Sequence, residues 1–388
     1  MDWTTKLSTT AQTLPPSGIR KFWEMAMSID NVISLCVGEP DYAPPAKVID
    51  SCIASLERRE TNYTANAGLL PLRTAIRHWY HSRYGVDYIE NEMMLTIGAS
   101  EAIDLALRVL VNPGDDVLIP DPSYVAYPAE VHLMQANPIM VPTTLEEGFK
   151  LTPAALEKHI TPKTRVLLMG YPSNPTGAIL TRQDLEGIAE VVKKHDLIVV
   201  SDEIYSELTY DTTHVSIASL PGMKERTVIL NGFSKAYAMT GLRIGFMCAP
   251  HEVIDAAIKI HQYSIVAPAT PIQHGAITAL TECDDAVIDM RNEYKARREL
   301  IVTGFKKMGL PVAVPQGAFY VFPDISSTGL SDEEFAEQLL LTKHVAVVPG
   351  SAFGACGKNR IRCSYASSRE TIAIALQRIG EFVAERSK

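Results

Sequence analysis

Short β-branched runs alternate with helical patterns through the middle of this chain, and that alternation narrows its possible folds more than any other feature. Strand-length apolar segments fall at residues 94–97, 117–119, 138–141, 165–169, 197–201, 227–230 and 244–248. Between them, amphipathic spacing predicts helices at 100–111, 124–134, 181–195 and 251–261. Apolar runs that lack a polar face suit strands buried on both sides, and strands separated by helices run parallel. The expected architecture is therefore α/β, a three-layer α/β/α large domain with a mostly parallel sheet over about residues 45–285.

The full 388 residues exceed what one hydrophobic core usually serves. After residue 285 a charged stretch, 286–308, reads as an exposed helix bridging away from the large domain. Strand-like segments follow at 317–323, 345–348 and 360–366, then a closing helix at 369–386. Together with residues 1–44, which carry an amphipathic helical pattern at 17–30, residues 286–388 form the predicted smaller α+β domain.

Charge and composition exclude several classes. A net charge of −9 without a basic run gives no footprint for nucleic acid. No apolar run reaches the length of a membrane span, and residues 1–16 lack the apolar core of a signal peptide. Six cysteines (36, 52, 248, 283, 356 and 363) stand apart with no Cys-x-x-Cys pair, the pattern of reduced thiols in a cytoplasmic protein. His78 and His81 share a helix face without an acidic or cysteine partner nearby in sequence, so no metal site is expected.

The chemistry concentrates at the ends of the predicted strands. Lys235 follows the run 227–230 in Asn231-Gly232-Phe233-Ser234-Lys235, and Arg243 comes eight residues later. A desolvated lysine keeps an uncharged, nucleophilic amine, and a nearby arginine offers fixed charge to a phosphate. The pair suggests a Schiff-base lysine and the phosphate of pyridoxal 5′-phosphate. Gly98-Ala99-Ser100 opens a helix directly after a strand, as a simple cap or as an anion site. Asp202 ends the run 197–201, where it can cap the next segment or hold a pyridine nitrogen protonated. Tyr205 shares its helix face. Asn174 lies between prolines in Tyr171-Pro172-Ser173-Asn174-Pro175, either a plain turn or a fixed amide. Tyr124 can pack or stack on a flat ring, and Arg362 can form a surface ion pair or grip a carboxylate through two hydrogen bonds.

Over essentially its whole length the chain resembles the class I/II, fold-type I aminotransferases that depend on pyridoxal 5′-phosphate. Four stretches carry the likeness: Asn174-Pro175-Thr176-Gly177, Ser201-Asp202-Glu203-Ile204-Tyr205, Ser234-Lys235 with Arg243, and Arg362-Cys363-Ser364-Tyr365-Ala366. The segments Ser17–Phe22, Tyr63–Gly68 and Ser201–Tyr210 look closest to bacterial enzymes of the aromatic and N-acetyl-diaminopimelate type. The resemblance implies that Lys235 binds the cofactor covalently, Asp202 pairs with the ring nitrogen, and Tyr205 and Asn174 bond the ring's phenolic oxygen. Tyr124 would stack on the ring, while Ala99, Ser100, Ser234 and Arg243 hold the phosphate. Tyr63 would reach the phosphate of a neighbouring subunit in a homodimer. Arg362, Asn174 and the Gly38 main chain would bind the substrate carboxylate. Gly232 departs from the pattern, since many relatives carry there a serine that contacts the phosphate, with Ser234 the candidate replacement.

The activity so implied is transfer of an amino group from an L-amino acid to a 2-oxo acid such as 2-oxoglutarate by a ping-pong route. No second cation is placed for a distal carboxylate, which favours aromatic or acylated donors over aspartate. Other pocket residues are expected from the segment 17–23 and from the partner subunit. A C–S β-lyase on the same scaffold is the alternative. A nicotinamide dehydrogenase would want Gly-x-Gly-x-x-Gly after a strand, and none occurs.

Overall fold

The computed structural model describes residues 1–16 and 18–386; for Arg20, Lys21 and Trp23 it describes the main chain alone. All seven apolar runs form strands. After a short β1 (Ile33–Ser34) come β2 (Met93–Thr96), β3 (Asp116–Asp121), β4 (Asn137–Pro142), β5 (Thr164–Gly170), β6 (Ile198–Asp202), β7 (Thr227–Gly232) and β8 (Gly245–Cys248). The last seven make one sheet in the order β2-β8-β7-β6-β5-β3-β4. β8 alone runs opposite in direction to the other six strands. The expected α/β architecture with a mostly parallel sheet is present.

Side-chain alternation shows why these runs carry no polar face. Along β5, Leu167 and Met169 join one buried cluster with Leu118 and Val199. Val166 and Leu168 point the other way, into a cluster with Val117, Ile119 and Val200. Helices cover both clusters. The helix Arg182–Lys194 packs Leu185, Ile188 and Val192 on the first, and Gly98–Leu110 packs Ile103, Ala106 and Leu107 on the second. Each fully buried aliphatic side chain contributes on the order of 1.5–3 kcal/mol.

The rest of the chain builds β9 (Tyr320–Val321), β10 (Val345–Ala346), β11 (Val348–Pro349) and β12 (Ile361–Ser364). β12 lies antiparallel between β11 and β9, whereas β10 pairs in parallel with β1. The strand expected at 345–348 is therefore two strands, because the pairing partner changes at Val347. Leu35 continues the N-terminal strand: its N–H donates to the Ala346 carbonyl and its carbonyl accepts from the Ser364 N–H, both at 2.8 Å. This pairing carries residues 36–38 toward the carboxyl edge of the large sheet. The helix expected at 17–30 spans Gly18–Met27; Ser17 lies outside the described residues.

One expectation fails. The charged stretch forms a 24-residue helix, Asp284–Lys307, but it is not an exposed bridge. Val287, Met290, Tyr294, Ile301, Val302 and Phe305 are buried, and so are Arg297 and Arg298. Both guanidinium groups are neutralised. Arg297 meets Asp41 at 2.8 and 2.9 Å, and Arg298 meets Asp211 at 2.6 Å. Opposite charge supplied from other parts of the chain hides the apolar face from a count of charges. Phe305→Ala should therefore lower unfolding free energy by about 3–5 kcal/mol. The exposed Lys306→Ala should stay within about 0.5 kcal/mol of wild type in the same denaturant titration. Equal small effects would restore the exposed-helix view.

Candidate active site

The carboxyl ends of β2, β3, β5, β6 and β7 open into one cavity of about 390 Å³. Ala99, Ser100, Tyr124, Asn174, Asp202, Tyr205, Ser234, Lys235, Arg243, Gly38 and Arg362 all line it. Of the residues to which the family resemblance gives a cofactor or substrate role, Tyr63 alone lies elsewhere; it stands at the surface, 84% exposed. Open parallel sheets bind ligands at this edge because their helix N-termini and loop groups converge there.

Lys235 follows β7 in a turn of small residues. Its Nζ donates to the Gly38 carbonyl oxygen at 2.6 Å. Burial pushes the amine down to about 8; Arg243 and Arg362 add to the fall, and Glu39 and Asp202 oppose it. Asp202, the last residue of β6, is buried and accepts from the Tyr127 hydroxyl at 2.9 Å and the Ile204 N–H at 3.1 Å. Burial pushes its carboxyl up to about 6 despite those two donors. A cation bound against Asp202 would pull it back down.

Glycines shape the anion end. Gly98 has φ +71°, and a side chain there would meet the Arg243 guanidinium, whose Nη2 lies 2.8 Å from the Cβ position. A Cβ on Gly245 would lie 2.6 Å from the Gly98 carbonyl carbon and 2.8 Å from the Ala99 nitrogen. Only glycine lets β8 approach the helix start, leaving N–H groups, Ser234 and Arg243 around one concave corner. At Gly232 a Cβ would sit 3.0 Å from Gly245 Cα, so β8 crowds out a side chain, whereas the Ser234 side chain lies on the cavity wall.

At the other end Arg362 is 2% exposed. It donates to Asn174 Oδ1 at 3.0 Å and to the Cys36 carbonyl, while its Nε is buried without a partner. Its guanidinium lies between the Tyr320 and Phe353 rings, 4.5 and 4.9 Å from their centroids. Two residues here escaped the sequence reading. Tyr127 lies three residues beyond Tyr124 on the same turn of chain, a spacing that could have flagged it. Tyr320, whose hydroxyl is 2.8 Å from that of Tyr205, sits in an apolar strand with no such signal.

The model of the aminotransferase class I and II family matches residues 30–379, and the chain belongs to that family. It is 49% identical to the putative aminotransferase YugH of Bacillus subtilis over 98% of this chain and 99% of that protein. An aspartate aminotransferase of Pyrococcus abyssi is 42% identical, covering 96% of each chain. The solved aromatic aminotransferase of Pyrococcus horikoshii superposes with a TM-score of 0.91 at 43% identity, over 95% of this chain and 99% of that one. The protein is thus an aminotransferase that uses pyridoxal 5′-phosphate, and nothing in these likenesses favours the β-lyase alternative.

The cavity fits that cofactor. The glycine-shaped corner suits a phosphate, the buried carboxyl of Asp202 suits a protonated ring nitrogen, and Lys235 follows β7, which lies between β8 and β6 in the sheet. The depressed amine also has a measurable consequence without cofactor. An unfolded chain holds the Lys235 proton up to its ordinary 10.5, whereas the folded protein releases it at about 8. The unfolded state thus binds more protons across that window, and folding stability rises with pH through it. Relative to Lys235→Met, cofactor-free wild type should gain stability between pH 8 and 10.5 in denaturant titrations; parallel pH profiles would show an ordinary, solvated amine.

Proposed function

We propose that this aminotransferase works through the residues gathered in the cavity and prefers aromatic or acylated amino donors to aspartate. The observation that carries the reading is the convergence of Lys235, Asp202 and Arg362 on one enclosed space. Ala99, Ser100, Ser234 and Arg243 hold the cofactor phosphate, Tyr124 covers the ring, and Asp202 pairs with its nitrogen. Tyr205 and Asn174 serve the ring's phenolic oxygen. Once bound, pyridoxal 5′-phosphate supplies an electron sink for charge developing at the donor's Cα. Arg362, held by Asn174 and braced by two aromatic rings, grips the α-carboxylate with the Gly38 main chain beside it. The Lys235 amine, pushed by burial from its ordinary range down to about 8, takes the proton from the donor's Cα.

Donor choice follows from what else lines the space. Among the described lining residues the cations are Lys235, Arg243 and Arg362, and each already has a task. Ile19, Val37 and Ile103 add apolar surface instead. The aromatic name of the Pyrococcus horikoshii structure agrees with that preference; the aspartate name of the Pyrococcus abyssi relative does not. Of the described residues in the segment 17–23, Ile19 lines this space; Ser17 and the side chains of Arg20, Lys21 and Trp23 lie outside the described residues.

Three wider assignments belong to the same reading. Residues 45–285 form the cofactor domain and 1–44 with 286–388 the smaller one, supported by a seven-stranded sheet that falls wholly within 93–248. The enzyme is a homodimer in which Tyr63 reaches the partner's phosphate site, supported by the exposure of Tyr63 and Tyr263 at 84% and 88%. It works in the cytoplasm, supported by six cysteines that are all unpaired.

With 2-oxoglutarate as acceptor, phenylalanine should exceed aspartate in kcat/KM by at least about tenfold. Aspartate equal or better would refute the donor preference. Lys235→Ala should bind cofactor yet lose roughly 10²–10⁴-fold in turnover; near-normal turnover would remove Lys235 from the chemistry.

A further inference from the structure

Tyr320 sits where the two ends of the cavity meet, and its ring braces Arg362 while nothing above gives its hydroxyl a task. It belongs to β9, in register with Ser364 of β12, the strand that carries Arg362. The side chain is 1% exposed. Its hydroxyl is 2.8 Å from the Tyr205 hydroxyl, and the two rings meet edge to face with centroids 5.8 Å apart. One face of its ring lies against the Arg362 guanidinium. A Cβ on Gly38 would fall on the Tyr320 hydroxyl, so the glycine makes room for it.

Hydroxyl stoichiometry gives this contact a direction. A phenol has one proton to donate and can accept through its lone pairs. If Tyr205 gives its proton to the cofactor's phenolic oxygen, the contact with Tyr320 survives only when Tyr320 is the donor. The surroundings favour that polarity. Burial pushes both phenols up and Arg362 opposes the rise at both; its guanidinium lies directly against the Tyr320 ring, and Tyr205 stays well above the usual range. The phenol that parts with its proton more readily is the better donor.

We propose that Tyr320 is a positioning residue: its hydroxyl donates to Tyr205, aiming the Tyr205 proton at the cofactor's phenolic oxygen and strengthening that hydrogen bond. Chained hydrogen bonds polarise one another by about 10–30% per link. The inference rests on the reading that Tyr205 serves that oxygen. A weaker donor leaves more negative charge on the oxygen, and the proton held beside it at the Lys235 linkage is released at higher pH.

The test is a pH titration of the visible absorbance of cofactor-loaded protein for wild type, Tyr320→Phe, Tyr205→Phe and the double variant. Tyr320→Phe keeps the ring against Arg362 and removes only the hydroxyl. Its midpoint should rise by roughly 0.1–0.6 pH unit, the size of a 10–30% loss from a charge-assisted hydrogen bond. Tyr205→Phe should rise further, and the double variant should match Tyr205→Phe alone. A Tyr320→Phe midpoint equal to wild type, or a double variant shifted by the sum of both, overturns the relay. A Tyr205→Phe midpoint equal to wild type overturns the cofactor role of Tyr205 itself, and the relay with it.

Discussion

Removal of charge from water at one edge of a sheet underlies the whole site. Lys235, Asp202 and Arg362 each carry a formal charge into a space where water solvates it poorly, and each responds differently. The amine falls to about 8 and the carboxyl rises to about 6, while the guanidinium is surrounded by aromatic faces and acceptors. Left without a ligand, such a group of charges is poorly compensated. The unpartnered Nε of Arg362 and the thinly supported Asp202 are where a charged, flat, carboxylate-bearing ligand would restore balance.

The large sheet alone does not make this environment. Its strands deliver Asp202 and Lys235, but Gly38 and Arg362 come from the segments on either side of it. Both arrive through main-chain pairing: β1 with β10, then Leu35 with Ala346 and Ser364, and β12 with β9. The ion pair of buried Arg297 with Asp41 secures the same N-terminal segment three residues beyond Gly38. Closing the cavity and folding the C-terminal sheet are therefore parts of one assembly, and Tyr320 touches both halves of it.

Much of this was legible before any coordinates. Buried parallel strands need continuous apolar runs, so all seven strands of the large sheet stood out, and chemistry at strand ends followed from the topology of such sheets. Lys235, Asp202 and Arg243 were visible on those grounds; for Arg362 the residue alone left a surface ion pair open beside a carboxylate grip, and the role given to Gly38 came from family likeness. What stayed hidden depends on contacts between distant parts of the chain. The burial of helix Asp284–Lys307 needs Asp41 and Asp211, far away in sequence. The split between β10 and β11 depends on two different pairing partners. Tyr320 looks like any strand aromatic until Tyr205, Gly38 and Arg362 are seen around it.

The central claim is that the amine of Lys235 is the point of attachment for the cofactor's aldehyde. Reduction of cofactor-loaded protein with borohydride, proteolysis and mass measurement of the peptides tests it directly. A pyridoxyl increment on the peptide bearing Lys235, retained through fragmentation at that side chain, is the predicted result. An unmodified Lys235, or the increment on another lysine, contradicts it.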